Sequence, residues 1–120
     1  MKTNELSGPA LDWAVAKAEG HYAAVAPGTG LVIIRRGNVT DYFDPAINWS
    51  WAGPIIEREK LMIWPITGYV DENFSWSSRV ARLPASTGAT CHGHTPLEAA
   101  MRCYVTIKLG GLVAIPKGLQ

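Results

Sequence analysis

Two segments of the chain carry apolar residues at helical spacing. In the first, Leu11, Ala14, Val15 and Ala18 fall at i, i+3, i+4 and i+7, so residues 7–19 read as a helix with one apolar stripe. Ser7 stands where a cap belongs, Pro9 is tolerated in the first turn, and Gly20 suits the left-handed position past the end. Trp13 lies beside the stripe. In the second, Leu97, Ala100, Met101, Tyr104 and Val105 share a face with the aliphatic stem of Lys108. Its start is explicit: Thr95 caps the first free amides, Pro96 needs no amide at the first helical position, and Glu98 can close a capping box. Gly110-Gly111 stops this helix after about Leu109.

Between them, Asp44-Pro45 opens a region expected to be helical over about residues 48–60, capped by Asp44 or Asn48. Gly53-Pro54 marks either a kink or the start of a shorter helix over residues 54–60. Residues 31–35 are apolar and β-branched and read as a strand. Gly37-Asn38 follows as a turn, and residues 39–43 continue as a partner strand or an ordered loop. Residues 61–65 form a second strand whose Pro65 belongs near an edge. Residues 74–83 form a third, with Phe74, Trp76 and Ser78 on one side. Residues 21–30 and 84–93 read as connectors, and residues 112–116 as an apolar tail against the core. The expected fold is α+β: a single domain with a small antiparallel sheet of three to four strands packed with two to three helices. Short strands with exposed edges favour a homo-oligomer.

Length and composition narrow the functional classes. A chain of 120 residues supports one core, and a charged fraction of 18% is ordinary for a globular domain. The net charge of +1 gives no global field for nucleic acid or an acidic membrane, so neither is an expected partner. Cys91 and Cys103 do not make a disulfide framework. The N-terminus lacks the apolar run of a signal peptide, and no stretch approaches the roughly 20 apolar residues that cross a bilayer. A reducing cytoplasm fits these features.

Candidate chemistry is sparse. Gly28-Thr29-Gly30 precedes a strand rather than a helix, so it reads as a turn and not a phosphate loop. Cys91-His92-Gly93-His94 offers a thiolate and two imidazoles, but no fourth ligand completes a structural zinc site, and no metal is expected. Cys91 and a neighbouring histidine lack an orienting acid, and Cys103 reads as a small buried hydrophobe. Glu57 and Glu59, two apart on a helix, face different ways and belong to a solvated face with local ion pairs. Asp71-Glu72-Asn73 reads as a turn. Trp64 is expected in the core.

The remaining aromatic residues carry more information. Trp49 and Trp51 flank a helix start in a setting of Asn, Gly and Pro, where an exposed ring can stack on a nucleobase. The helix starts at Asn48-Trp49 and His94-Thr95 offer free amides to phosphate, and Arg102 lies two turns further on, expected on a flank. The candidate ligand-binding set is therefore Asn48, Trp49, Trp51, Trp76, His94, Thr95 and Arg102, with no catalytic residue and no cofactor.

Three motifs carry a family resemblance. They are Leu11-Asp12-Trp13-Ala14-Val15-Ala16-Lys17-Ala18-Glu19-Gly20, then Asn48-Trp49 with Gly53-Pro54-Ile55-Ile56-Glu57-Arg58-Glu59, then Thr95-Pro96-Leu97-Glu98-Ala99-Ala100-Met101-Arg102-Cys103-Tyr104-Val105. In order and spacing the chain resembles the NinX-like family of small proteins encoded by tailed bacteriophages and prophages. The resemblance implies a compact α/β domain and a phage accessory protein acting in the bacterial cytoplasm, and it carries over no catalytic residues. The chain departs from the family pattern between Ser77 and His94, where Arg79, Arg82 and the Cys-His-Gly-His run replace a more acidic connector. The expected role is a non-catalytic protein binding a small anionic ligand, a nucleotide by preference, sequestering a host-defence signal. The alternatives are a protein-interaction module that inhibits a host protein, and a small nucleotide hydrolase.

Overall fold

In a computed structural model that describes residues 1–66, 75–81 and 90–120, helix α1 (Gly8–Glu19) buries Leu11, Ala14 and Val15 of the expected stripe together with Ala10 and Ala16. Ser7 holds the cap position in extended backbone without a side-chain cap bond. Gly20, at φ 77°, turns its amide back to the carbonyls of Ala16 and Lys17. Strands β1 (Tyr22–Val25), β2 (Val32–Arg36) and β3 (Val39–Tyr42) then form an antiparallel meander in that order. Its register pairs Ala23 with Ile34 and Ile33 with Tyr42. Val32 and Ile34 project into the core and Ile33 is half-buried, the alternation expected of a sheet with one covered face.

Helix α2 (Trp49–Glu59) is the longer of the two expected possibilities. Asn48 is its cap, and Pro54 lies inside the helix, removing only the bond its amide would have made to Ser50. Lys60 takes a left-handed conformation, φ 53°, and swings the chain directly into β4 (Leu61–Pro65). Strands β5 (Trp76–Val80) and β6 (Cys91–Gly93) complete a second antiparallel sheet, in the order β4-β5-β6. Helix α3 (Pro96–Leu109) packs on this sheet and also on α1 and α2. It is covered on several sides, which is why it buries Leu97, Ala99, Ala100, Met101, Cys103, Tyr104 and Val105 rather than a single stripe.

The α+β class holds, but the strands divide into two three-stranded sheets instead of one sheet of three to four. Two strands lie in segments read as connectors. Ala23 and Ala24 have little β propensity, and β1 exists because β2 offers it an edge. Residues 91–93 are short and polar, and they are extended by pairing with Trp76, Ser77 and Ser78. Trp64 is half-buried, not core. The tail closes on the N-terminus: the Thr3 amide donates to the Gly111 carbonyl at 2.9 Å, Lys2 bridges to Leu112, and Ile115 is buried. The expectations for Phe74, for Asp71-Glu72-Asn73 and for Arg82 fall outside the described residues.

Candidate functional site

The entrance to α2 is built from the loop that leaves β3. Asn48 accepts the Ser50 amide at Oδ1 (2.9 Å) and donates from Nδ2 to Asp44 Oδ1 (3.1 Å), so its side chain is committed to the cap. The Trp51 indole donates to the Tyr42 carbonyl at 3.1 Å, meets the Phe43 ring edge-on at 5.1 Å and lies under the Arg36 guanidinium. Trp51 therefore fastens α2 to β3. Trp49 does not share this role and stays 57% exposed.

At the entrance to α3, Thr95 Oγ1 accepts the Glu98 amide at 3.1 Å. Glu98 Oε1 gathers three donors: the His94 amide (3.2 Å), His94 Nδ1 (2.9 Å) and Arg102 Nη2 (3.0 Å). A carboxylate of the chain itself thus faces the positive end of α3, in the place an external anion would take. Arg102, expected on a flank, is only 4% exposed. It donates from Nε to the Leu6 carbonyl (2.8 Å) and from Nη1 to the His92 carbonyl (2.9 Å), tying the N-terminal segment, β6 and α3 together. Burial lowers its pKa, with Glu98 opposing.

Of the seven candidate residues, the structure brings Trp49 and Thr95 together in one concavity of about 220 Å³, which Ile47 and Pro96 also line. His94 sits at the neighbouring position as Glu98's partner. Trp76 pairs with Gly93 in the second sheet and does not line this concavity. Beside it, sharing Ile47, lies a larger cavity of about 310 Å³ bounded by Leu31, Tyr42, Phe43, Asp44 and, from α1, Asp12. Sequence reasoning missed it. Asp12 is 5% exposed and accepts the Ala46 amide at 2.8 Å, which holds the loop before α2 against α1. Burial drives its pKa up to about 7, the Ala46 hydrogen bond opposes that, and nearby Asp44 adds to it. The available signal was a carboxylate one residue from Leu11 in the apolar stripe, four before Ala16.

Two further clusters differ from expectation. Arg58 pairs with Glu59 as expected, but it also reaches across to Glu19 of α1 (2.7 Å), where Tyr104 of α3 donates to the same carboxylate. Burial raises the Glu19 pKa, yet the bonds from Arg58 and Tyr104 outweigh it and the net shift is downward. Cys91 and His92 point to opposite faces of β6, the thiol buried and the imidazole outward to Ser77 Oγ at 2.9 Å. The Cys103 thiol instead meets Cys91 and favours the Cys91 thiolate, which lowers the Cys91 pKa despite burial. Among the described residues no three metal-ligating side chains converge, and no helix is long and apolar enough to cross a membrane.

A family model described as bacteriophage P22 NinX matches residues 2–108 of the chain. A search of curated proteins gives no match.

Proposed function

The chain belongs to the bacteriophage P22 NinX family, a phage accessory protein by that membership, and we propose that it acts as a non-catalytic protein-docking module in the bacterial host cytoplasm. The observation that carries this reading is one apolar surface around the start of α2. Leu31, Tyr42, Ile47 and Trp49 are all exposed, Ile47 by 77%, and they rim two concavities that share Ile47. Large apolar side chains left in water around concave ground mark sites where a partner removes them from it. Among the described residues the lining includes Asp12 and Asp44 and no lysine or arginine, so the surface complements a partner presenting apolar and basic side chains.

The nucleotide reading keeps one support, the exposed Trp49 ring beside Thr95. Against it stand Glu98 at the α3 entrance and the burial of Arg102, which leave a phosphate without a ready counter-charge there. The expected homo-oligomer would use the same apolar surface or the edges of β1 and β3, which pair with no further strand among the described residues.

The test is recovery of partners from infected cells by the tagged wild-type protein, by Ile47→Asp with Trp49→Ala, and by Leu112→Asp on an exposed site elsewhere. A polypeptide other than the chain itself, retained by wild type and Leu112→Asp and lost by the double variant, supports the reading. Equal retention by all three overturns it. A thermal shift with a panel of nucleotides that disappears on Trp49→Ala would return the nucleotide reading to first place.

A further inference from the structure

The larger cavity has an electrostatic property that the docking surface alone does not explain. Its walls are apolar, from Leu31, Tyr42, Phe43 and Ile47, but it contains two carboxyl groups, Asp12 and Asp44. Asp44 Oδ1 is engaged by the Asn48 side chain. Asp12 is nine-tenths buried, and among the described residues only its Oδ1 is hydrogen-bonded, to the Ala46 amide. Among the described residues, none that lines it is cationic. A buried carboxylate with no counter-charge is held at a cost, which is why its proton is retained towards neutral pH. Apolar walls disfavour a hydrated metal ion, and two acids disfavour an anion. What complements both is a positive head on a hydrocarbon stem, with Tyr42 and Phe43 beside it.

We propose that this cavity is a binding site for an organic cation on an apolar stem, supplied in the complex as a lysine or arginine side chain of the partner protein, with Asp12 and Asp44 as its counter-charges. The proposal rests on the docking reading for the source of the cation, but the chemistry of the cavity is testable without any partner. Ile47 separates the cavity from the Trp49 concavity, so a segment lying across Ile47 would present a basic residue to one side and an apolar residue to the other.

The experiment, run at about pH 8 where Asp12 is ionised, titrates the intact protein with n-butylguanidinium, n-butylammonium, the neutral isostere n-butylurea and the anion butyrate, followed by amide and methyl NMR shifts. Both cations are expected to shift Leu31, Phe43 and Ile47, and to bind at least about tenfold more tightly than butylurea, the scale of one charge-assisted hydrogen bond. Butyrate is expected not to bind. Asp12→Asn keeps an acceptor for the Ala46 amide and removes the charge, so it should reduce cation affinity by about the same factor and leave butylurea unchanged. Equal affinity for butylguanidinium and butylurea in wild type overturns the proposal, and this comparison stands even if the variant fails to fold. Unchanged cation affinity in folded Asp12→Asn also overturns it. If the cations fail while Ile47→Asp with Trp49→Ala still abolishes partner recovery, the docking surface stands and the cation site falls; if the cations bind and recovery is unaffected, the reverse holds.

Discussion

Replacing Gly93 by alanine would place a methyl carbon 2.5 Å from the Ala99 amide nitrogen and 3.0 Å from both the Ala99 Cα and the Glu98 carbonyl carbon. All three atoms belong to the backbone of α3, so no side chain can rotate away to make room. The methyl group can be accommodated only if β6 separates from the helix. That movement strains the Arg102 bond to the His92 carbonyl and the Ser75 amide bond to the Gly93 carbonyl. Overpacking of this kind costs about 1–3 kcal/mol. For a domain of this size each kcal/mol lowers Tm by about 4 °C, so Gly93→Ala should melt about 4–12 °C below wild type. Scanning calorimetry gives the Tm, and a urea titration at constant m-value confirms that stability, not compactness, has changed. Gly111→Ala is the control, because its added carbon meets nothing within 4 Å, and it should stay within about 0.5 kcal/mol of wild type. A Tm for Gly93→Ala within about 1 °C of wild type would refute the close approach of β6 to α3.

Arg102→Met leaves Glu98 and two carbonyls without their buried donor and should cost about 3–5 kcal/mol in urea denaturation; a variant as stable as wild type would show that Arg102 is not the tie between the N-terminal segment, β6 and α3. Burial drives the Asp12 pKa from the ordinary carboxylate value of 3.8 up to about 7 in the folded state, so between those values the native state holds a proton that the unfolded chain has released. The contribution of this group to stability should be greatest at acid pH and decline towards pH 7 at up to about 1.4 kcal/mol per unit, and Asp12→Asn lacks that component. Urea midpoints from pH 5 to 8 with equal pH slopes in the two proteins would contradict this. Iodoacetamide should modify Cys91, whose thiolate is favoured and which borders a surface concavity with Thr3 and Asn4, well before the fully buried Cys103; peptide mass spectrometry showing Cys103 modified first would overturn the assignment.

The elements that depend on local rules were legible in the sequence. The Thr95-Pro96 start of α3 and the Gly20 stop of α1 follow from side-chain chemistry within a few residues and stand in the structure; for α2 the same rules offered Asp44 or Asn48 as the cap, and the structure uses Asn48. Strands β1 and β6 were not legible, because Ala23-Ala24 and Cys91-His92-Gly93 are extended by their neighbours and not by their own propensity. The division into two sheets depends on non-local pairing of the same kind. For the site, the setting of Asn, Gly and Pro pointed to an exposed ring at Trp49 or Trp51 without saying which, and the structure exposes Trp49. The burial of Arg102 was not, because its partners are the carbonyls of Leu6 and His92, on segments that only the fold brings together. The Asp12 cavity was invisible for the same reason: α1, β2 and the loop before α2 meet only in three dimensions.

The central claim is that the surface around Ile47 meets a partner protein, and photo-crosslinking in infected cells tests it most directly. A benzophenone amino acid placed at position 47, and in a second protein at the exposed position 112, is irradiated during infection. The account predicts a discrete covalent adduct with a second polypeptide from position 47 and none from position 112. No adduct at position 47, or the same adduct from both positions, would contradict it.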